Sequence, residues 1–527
     1  MSAAQDTLPR RADARRGAAA VLVAVLPALL VLPTSVTGSG VALPAIGRDS
    51  GASLAASQWV LHGYNLTFAG LLLACGSLAD RWGRRRVFGG GAALFTVASA
   101  VSAAAPGILV LDLARALAGV GAAALLTSGS SLIGETFDGR ARGRAFGAVG
   151  VTTGAGLALG AMVAGAVTDT LGWRAFFELH AVLMALVWCT VPLLPRGDAG
   201  GHAVRGRPAG ADWPGTATFS GGLFLLTLGT VEGPGRGWGS GEVLGLLAGS
   251  VVLLAAFALV ESRVRHPMLD LRLLRNGRFM ALCLIPVVAT LSFVILLPLL
   301  PNYLVVAGGY SSGAAGGVML LMTLPILVGP PLATWLLRRG LALRGVLGLS
   351  LLCLTVGVGW LASALEPGLT PGALAGPLIT LGVGLGLNFG LVDGAVLDVV
   401  APETTGAAAG FLNTLRLGSE ALAIAAASAA LVNLVRKPFD TGLKGFPSYD
   451  GGSGALANSV NAGDLAGPLA GLPAPARPGF TAMVTHGLTD AWQTVLWTSA
   501  AGCAVLSVVI CLLLDGRERG ATAPPKV

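Results

Sequence analysis

The chain has 527 residues, of which 54% are hydrophobic and only 11% charged, and its net charge is +8. A soluble domain carries about 25% charged residues, so a chain this long and this apolar must place most of its side chains in lipid or in a helix bundle. The basic residues fall between apolar runs. That excludes nucleic acid as the expected partner and points to the lipid bilayer.

A spanning helix needs roughly 20 mostly apolar residues. Fourteen segments qualify. They start near Ala18, Gln58, Val87, Ile108, Phe146, Phe176, Gly215, Val243, Phe279, Ala314, Val346, Leu374, Ala407 and Leu488. The expected class is therefore an all-α membrane protein. The Arg-rich stretch Arg10 to Arg16 precedes an apolar run, and with no cleavage site followed by a soluble domain that run reads as the first span. With the N-terminus in the cytoplasm, 25 of the 34 Lys and Arg fall in inside segments, seven fall outside, and Arg115 and Arg416 lie within spans. The asymmetry predicts an even number of spans with both termini inside.

Between the second and third segments runs Gly76-Ser-Leu-Ala-Asp-Arg-Trp-Gly-Arg-Arg-Arg86, a short basic loop at a membrane face. Its Gly76 and Gly83 permit close helix approach and a tight turn, and Asp80 is placed to pair with an arginine or a helix N-terminus. In the fourth segment Arg115 costs about 2.5–3.5 kcal/mol on insertion scales, so it needs a partner or a wet cavity. Asp112, three residues earlier on the same helix face, offers a structural ion pair. The fifth segment carries Gly150, Gly154, Gly156, Gly160 and Gly165, a smooth face for helix crossing. Residues 196–213 read as a Gly- and Arg-rich inside linker, and 435–486 as a long Gly-, Pro-, Ala- and Asn-rich outside loop. Ala333-Thr-Trp-Leu-Leu-Arg-Arg-Gly-Leu-Ala-Leu-Arg344 is a worn copy of the first basic loop, and Arg142–Gly147 echoes Thr405–Gly410. Two related six-helix halves with a substrate site between them are the expected consequence.

The predicted organisation is a tail over 1–17, a six-helix bundle over 18–195, a linker with two extra spans over 196–265, a second bundle over 266–514, and a tail over 515–527. Six cysteines lie in apolar segments and read as small hydrophobes. No phosphate-binding Gly-Lys-Ser/Thr loop and no His/Cys cluster of metal spacing is present in the sequence. No cofactor, metal or enzyme chemistry is expected.

The Gly76–Arg86 string resembles the loop between the second and third helices of the major facilitator superfamily. Further strings resemble its fourteen-helix drug:proton antiporter branch. They are Val41-Ala-Leu-Pro-Ala-Ile46, Arg115-Ala-Leu-Ala-Gly-Val-Gly-Ala-Ala123, Gly154 through Gly165, Gly172-Trp-Arg-Ala-Phe-Phe177, His266-Pro-Met-Leu-Asp-Leu-Arg272 and Asn413-Thr-Leu-Arg416. The resemblance implies a major facilitator fold of two six-helix bundles plus two central helices. It also implies export of amphipathic or cationic drugs or antibiotics in exchange for protons, by a monomer in the cell membrane. Gly76, Asp80, Arg81, Gly83, Arg84 and Arg85 would belong to the gating motif, Arg115 would influence proton binding and release, and the fifth-helix glycines would set a leak barrier. The chain departs from the family at Ser35, where the first helix often carries an acid, at Ala118 in place of Gln, and at Ala161 in place of Pro. Losing that proline should remove a kink.

With no carboxylate at Ser35, Glu420 is the first candidate for a relocated proton site, since Arg416 lies four residues away on the same face. Asp393 and His62 are further candidates. Asn413, Asn388 and Tyr64 are candidate cavity residues, and Phe176, Phe177 and Trp59 are possible aromatic contacts or interface anchors. The alternatives are a dedicated natural-product self-resistance exporter, a nutrient facilitator or importer on the same fold, and a non-transporting membrane scaffold.

Overall fold

A computed structural model describes residues 7–51, 54–195, 213–237, 239–264, 273–400 and 404–515. The expected linker over 196–213, except Trp213, lies outside the described residues, as do the His266–Arg272 string and the C-terminal tail from 516. Among the described residues the regular structure is helical throughout. The reason is in the composition: long apolar runs that must satisfy every backbone N–H and C=O without water can do so only as helices or closed barrels.

Among the described residues the long helical segments are α1 (Thr7–Ser50), α2 (Leu54–Trp82), α3 (Arg84–Ala103), α4 (Ile108–Thr136), α5 (Gly139–Leu171), α6 (Trp173–Thr190), α7 (Trp213–Arg236) and α8 (Gly241–Arg263), then α9 (Gly277–Val306), α10 (Ser312–Arg338), α11 (Leu343–Ala364), α12 (Pro371–Asp398), α13 (Thr405–Gly442) and α14 (Arg477–Asp515), an arrangement compatible with the expected spans. Eleven are long and apolar enough to cross a membrane, and the bent α5 makes a twelfth. The other two, α2 and α7, are 29 and 24 residues long, and their Gly, Ser, Thr and charged residues dilute the apolar run.

Local chemistry explains the interruptions. Gly83 separates α2 from α3 at φ 93°, and Gly340, its counterpart in the second basic loop, adopts φ 94°. The internal repeat read from the sequence is therefore also a repeat of backbone shape, in a region that glycine enters without steric cost. A five-residue π turn, Thr290–Val294, interrupts α9. α12 is broken into Pro371–Asn388 and Leu391–Asp398, with Gly390 at φ 79° between them. The loop expected over 435–486 is shorter than its composition suggested. α13 continues to Gly442 and α14 begins at Arg477, while Ser453–Asn461 and Ala466–Ala470 form two short helices between them. In the first short helix Ala455, Leu456 and Ala457 supply strong helix formers between the glycines.

The chain divides into two compact units. The first comprises residues 1–228, 246–280 and 389–417. Its core runs through Val25, Leu29, Tyr64, Phe68, Phe88, Phe95 and Leu125, all buried. A second cluster gathers Ile46, Leu111, Trp173, Phe176 and Phe177. The extra helices are seated on α2 within this unit, where Phe219 and Phe257 pack with Ala69 and Leu73, ring centroids 4.8 Å apart.

The second unit comprises residues 229–245, 281–388 and 418–527. In it α10 and α12 cross so closely that a methyl group on Gly329 would sit 2.2 Å from the Cα of Gly386. The segment after α13 folds back against α9. Asn302 Nδ2 donates to the carbonyl of Asn461 at 2.9 Å, and Leu456, Ala457 and Val460 are fully buried.

Candidate functional site

Three clusters of polar side chains inside the first unit absorb most of the residues singled out by sequence. The first surrounds Arg115 on α4, which is 1% exposed. Its Nη1 donates to Ser35 Oγ at 2.8 Å and its Nη2 to the Ser35 carbonyl at 3.4 Å, both on α1. Its Nε donates to the Val60 carbonyl of α2 at 3.2 Å. The guanidinium lies 4.4 Å from the Tyr64 ring centroid and 5.5 Å from that of Phe177 on α6. Rings at such distances attract a desolvated cation by about 2 kcal/mol. The ion pair with Asp112 considered from the sequence is not formed, because Arg115 reaches across to α1 and α2 instead. Tyr64 is fully buried under the guanidinium, and Phe176 and Phe177 are core residues. His180, which the sequence reading passed over, lies beside them on α6. Its Nδ1 is 2.7 Å from the Phe176 carbonyl and its Nε2 is 3.1 Å from Thr34 Oγ1. A single His amid apolar residues offers no sequence signal that could have found it.

The fifth-helix glycines explain how α1 is held against this cluster. A methyl on Gly156 would lie 2.5 Å from the Leu30 carbonyl oxygen, and one on Gly160 would lie 2.2 Å from Thr37 Oγ1 and 2.8 Å from Thr34 Cα. Gly165 meets only ordinary contact, at 3.8 Å from Val41. Despite Ala161, α5 is bent by 43° between Leu157 and Met162, so the kink expected to vanish with the proline is present. Missing side chains at Gly156 and Gly160, with α1 backbone pressed against them, permit the bend without a proline.

The second cluster is the basic loop. Arg84 is 8% exposed and forms ion pairs with Asp80, at 3.4 Å, and with Glu135 at the end of α4. Its Nη2 also donates to Thr405 Oγ1 at 2.7 Å, at the start of α13. Arg85 donates to the Pro192 carbonyl at 3.1 Å. Arg142 on α5 pairs with Asp138 at 3.0 Å and with Asp398 at the end of α12. The segment 389–417 is thus tied to α3 through Arg84 and to α5 through Arg142 by charge-assisted bonds. Two close approaches complete the seat: a methyl on Gly390 would lie 2.1 Å from the Phe146 carbonyl oxygen, and one on Gly410 would lie 2.9 Å from the Leu72 carbonyl oxygen. Asp80, Arg84 and Gly83 were expected in this cluster. Glu135 and Thr405 were not, although an acid at the end of an apolar run was a visible signal for Glu135.

The third cluster joins α12 and α13. Arg416 lies 3.2 Å from Asp393, whose side chain is 13% exposed, and it donates to Asn413 Oδ1 at 2.8 Å. Asn413 in turn donates to the Ala409 carbonyl at 2.9 Å. Three sequence candidates, Arg416, Asp393 and Asn413, therefore meet. Glu420 is half-buried one turn further along α13. Asn388 belongs to the second unit, where it donates to Ser350 Oγ at 2.9 Å. His62 faces the Trp59 ring edge-on at 6.2 Å. Among the described residues no group of three or more His, Cys, Asp or Glu has metal-binding geometry.

Many membrane-length helices, ionic ties at a basic loop and the fully buried Arg115 define a polytopic membrane protein of the carrier type, in which charge inside the spans serves function. The chain belongs to the Major Facilitator Superfamily, which its sequence matches over residues 25–424. It is 43% identical over 47% of its length to a puromycin resistance protein of Streptomyces alboniger, covering 48% of that protein. It is 32% identical over 60% of its length to a tetracenomycin C resistance and export protein of Streptomyces glaucescens, covering 58% of that one. The match thus spans about half to three fifths of these relatives. The crystal structure of the human organic anion transporter MFSD10 has the same fold, with a TM-score of 0.58, 14% identity, and coverage of 93% of this chain and 99% of that one.

Proposed function

We propose that this protein exports amphipathic small molecules of the antibiotic type, cationic ones included, across the cell membrane in exchange for protons, by alternating access and as a monomer with both termini in the cytoplasm. The observation that carries the export reading is the set of relatives, whose names specify resistance to or export of antibiotics. The charge bias of the inside segments supports the orientation. Ionisable groups held inside the spans, Arg115 and the partly buried Arg416–Asp393 pair, support proton coupling, because such groups mark proton relays in membrane carriers.

The driving force is sufficient. One inward proton supplies about 2.3 kcal/mol at 100 mV and ~1.4 kcal/mol for each pH unit. A total of ~3.7 kcal/mol sustains roughly a 500-fold gradient of a neutral substrate. Names tied to individual antibiotics favour, as a second reading, a dedicated self-resistance exporter with a narrow substrate range. Efflux of a fluorescent lipophilic cation, and separately of puromycin, from cells lacking their own pumps tests both. Export that collapses with a protonophore is the expected result. Export indifferent to the protonophore would refute proton exchange, and uptake rather than efflux would refute the direction.

A further inference from the structure

Asp112 and Arg115 leave α4 on neighbouring positions of one face, yet they do not bond each other. Asp112 Oδ1 is buried and has no hydrogen-bond partner among the described residues. Arg115, one turn deeper, is buried with only neutral acceptors, Ser35 and Val60. A cation lacking an anion and an acid oxygen lacking a donor thus lie one helical turn apart. Within the spans, α1 carries no charged residue between Gly17 and Gly47, and α3 none beyond Arg86. The titratable and charged groups on the packed helices are His62 and Tyr64 on α2, Asp49 at the end of α1, Asp169 on α5, and Arg174, Glu178 and His180 on α6, with Arg174 already engaged by Asp49. The α2 backbone closes directly over the site, since a methyl on Gly63 would stand 3.4 Å from the Asp112 carbonyl oxygen.

We propose that Asp112 is the carboxylate that takes up and gives up a proton in the first unit, with Arg115 as its switch partner. This rests on the proton-exchange reading above and names a residue for it. In the arrangement described, Asp112 is the neutral acid. A neutral acid tolerates an unpaired buried oxygen, whereas a buried carboxylate demands a charged donor. When the Asp112 O–H bond breaks, the proton passes to water and its electron pair stays on the carboxylate. The Arg115 N–H bonds then shift from Ser35 Oγ and the Val60 carbonyl to the new anion. That shift removes the tie of α4 to α1 through Ser35 and its tie to α2 through Val60, so protonation state and helix packing change together. Serine at position 35 leaves Arg115 with a neutral acceptor on α1 rather than an anion.

The test is infrared difference spectroscopy of the full chain reconstituted in phospholipid vesicles, following the C=O stretch of protonated carboxylic acids as buffer pH is raised. The expected result is a titrating band that is lost in Asp112→Asn and kept in Asp393→Asn and Glu420→Gln. Asp112→Glu should return it at a shifted frequency, which guards against a variant that fails to fold. Arg115→Lys should move its midpoint, which a purely structural aspartate would not do. Absence of a titrating band in the wild-type protein, or its survival in Asp112→Asn, overturns the assignment. If the band is Asp112 but export ignores the proton gradient, the site stands and the exchange reading fails. If export is gradient-driven but the band survives in Asp112→Asn, the reverse holds.

Discussion

Replacing Gly160 by alanine tests whether the α1–α5 crossing rests on bare backbone. The new methyl would stand 2.2 Å from Thr37 Oγ1 and 2.8 Å from Thr34 Cα. The hydroxyl can swing aside, but the Cα belongs to the α1 backbone, so the helix itself must retreat by more than half an ångström. Overpacking of this kind costs about 1–3 kcal/mol. Glycine to alanine in a helix interior also returns about 0.5–1 kcal/mol of backbone entropy. Gly165→Ala supplies the control: it carries the same entropy gain, but its methyl meets only Val41 at 3.8 Å. Gly165→Ala should therefore melt at or above the wild-type temperature. Gly160→Ala should be the less stable of the two by about 1–3 kcal/mol, because the helix term cancels between them. The assay is thermal unfolding of both purified proteins in the same detergent, with efflux measured in parallel. Equal melting temperatures would refute the argument that α1 lies directly on Gly160.

Two further outcomes follow from particular contacts. Gly390→Ala combines a positive φ of 79° with a methyl 2.1 Å from the Phe146 carbonyl oxygen, so it should unseat the segment 389–417. The left-handed backbone alone costs about 1–2 kcal/mol. Faster proteolysis within 389–417 and reduced efflux are expected, and a wild-type protease pattern would count against the seat. At the end of α1, Arg174 beside Asp49, at 2.5 Å, and Trp173 Nε1 at 3.2 Å hold the Asp49 carboxyl below the usual carboxylate range. Such a group stabilises the fold above the ordinary carboxylate range and loses that contribution as pH falls toward its depressed value. An acid-side change in Trp173 fluorescence is therefore expected, and it should be abolished by Asp49→Asn. Persistence of the change in that variant would show that another group causes it.

Much of the architecture was legible because the bilayer imposes a length and a composition on each span. The Gly83 turn, the glycine face of α5 and the pairing of Asp80 with Arg84 all follow from local sequence rules. The bend in α5 did not follow, since its cause is α1 pressed onto Gly156 and Gly160, far away along the chain. The helical ends of the 435–486 segment were hidden by its glycine and proline content. Arg416 was read against Glu420 by helical spacing, but the contact to Asp393 comes from a neighbouring helix that spacing along one segment does not report.

The sequence by itself determined the helical class, the membrane setting, the internal repeat and the family, because hydrophobic length, charge placement and short motifs are properties of contiguous residues. Only the tertiary structure decided which partners the arginines take: Arg115 with Ser35 rather than Asp112, Arg84 with Glu135 and Thr405, Arg416 with Asp393. A buried charge takes the partner that helix packing brings within about 3 Å. That choice is made between segments tens or hundreds of residues apart, so no local pattern records it.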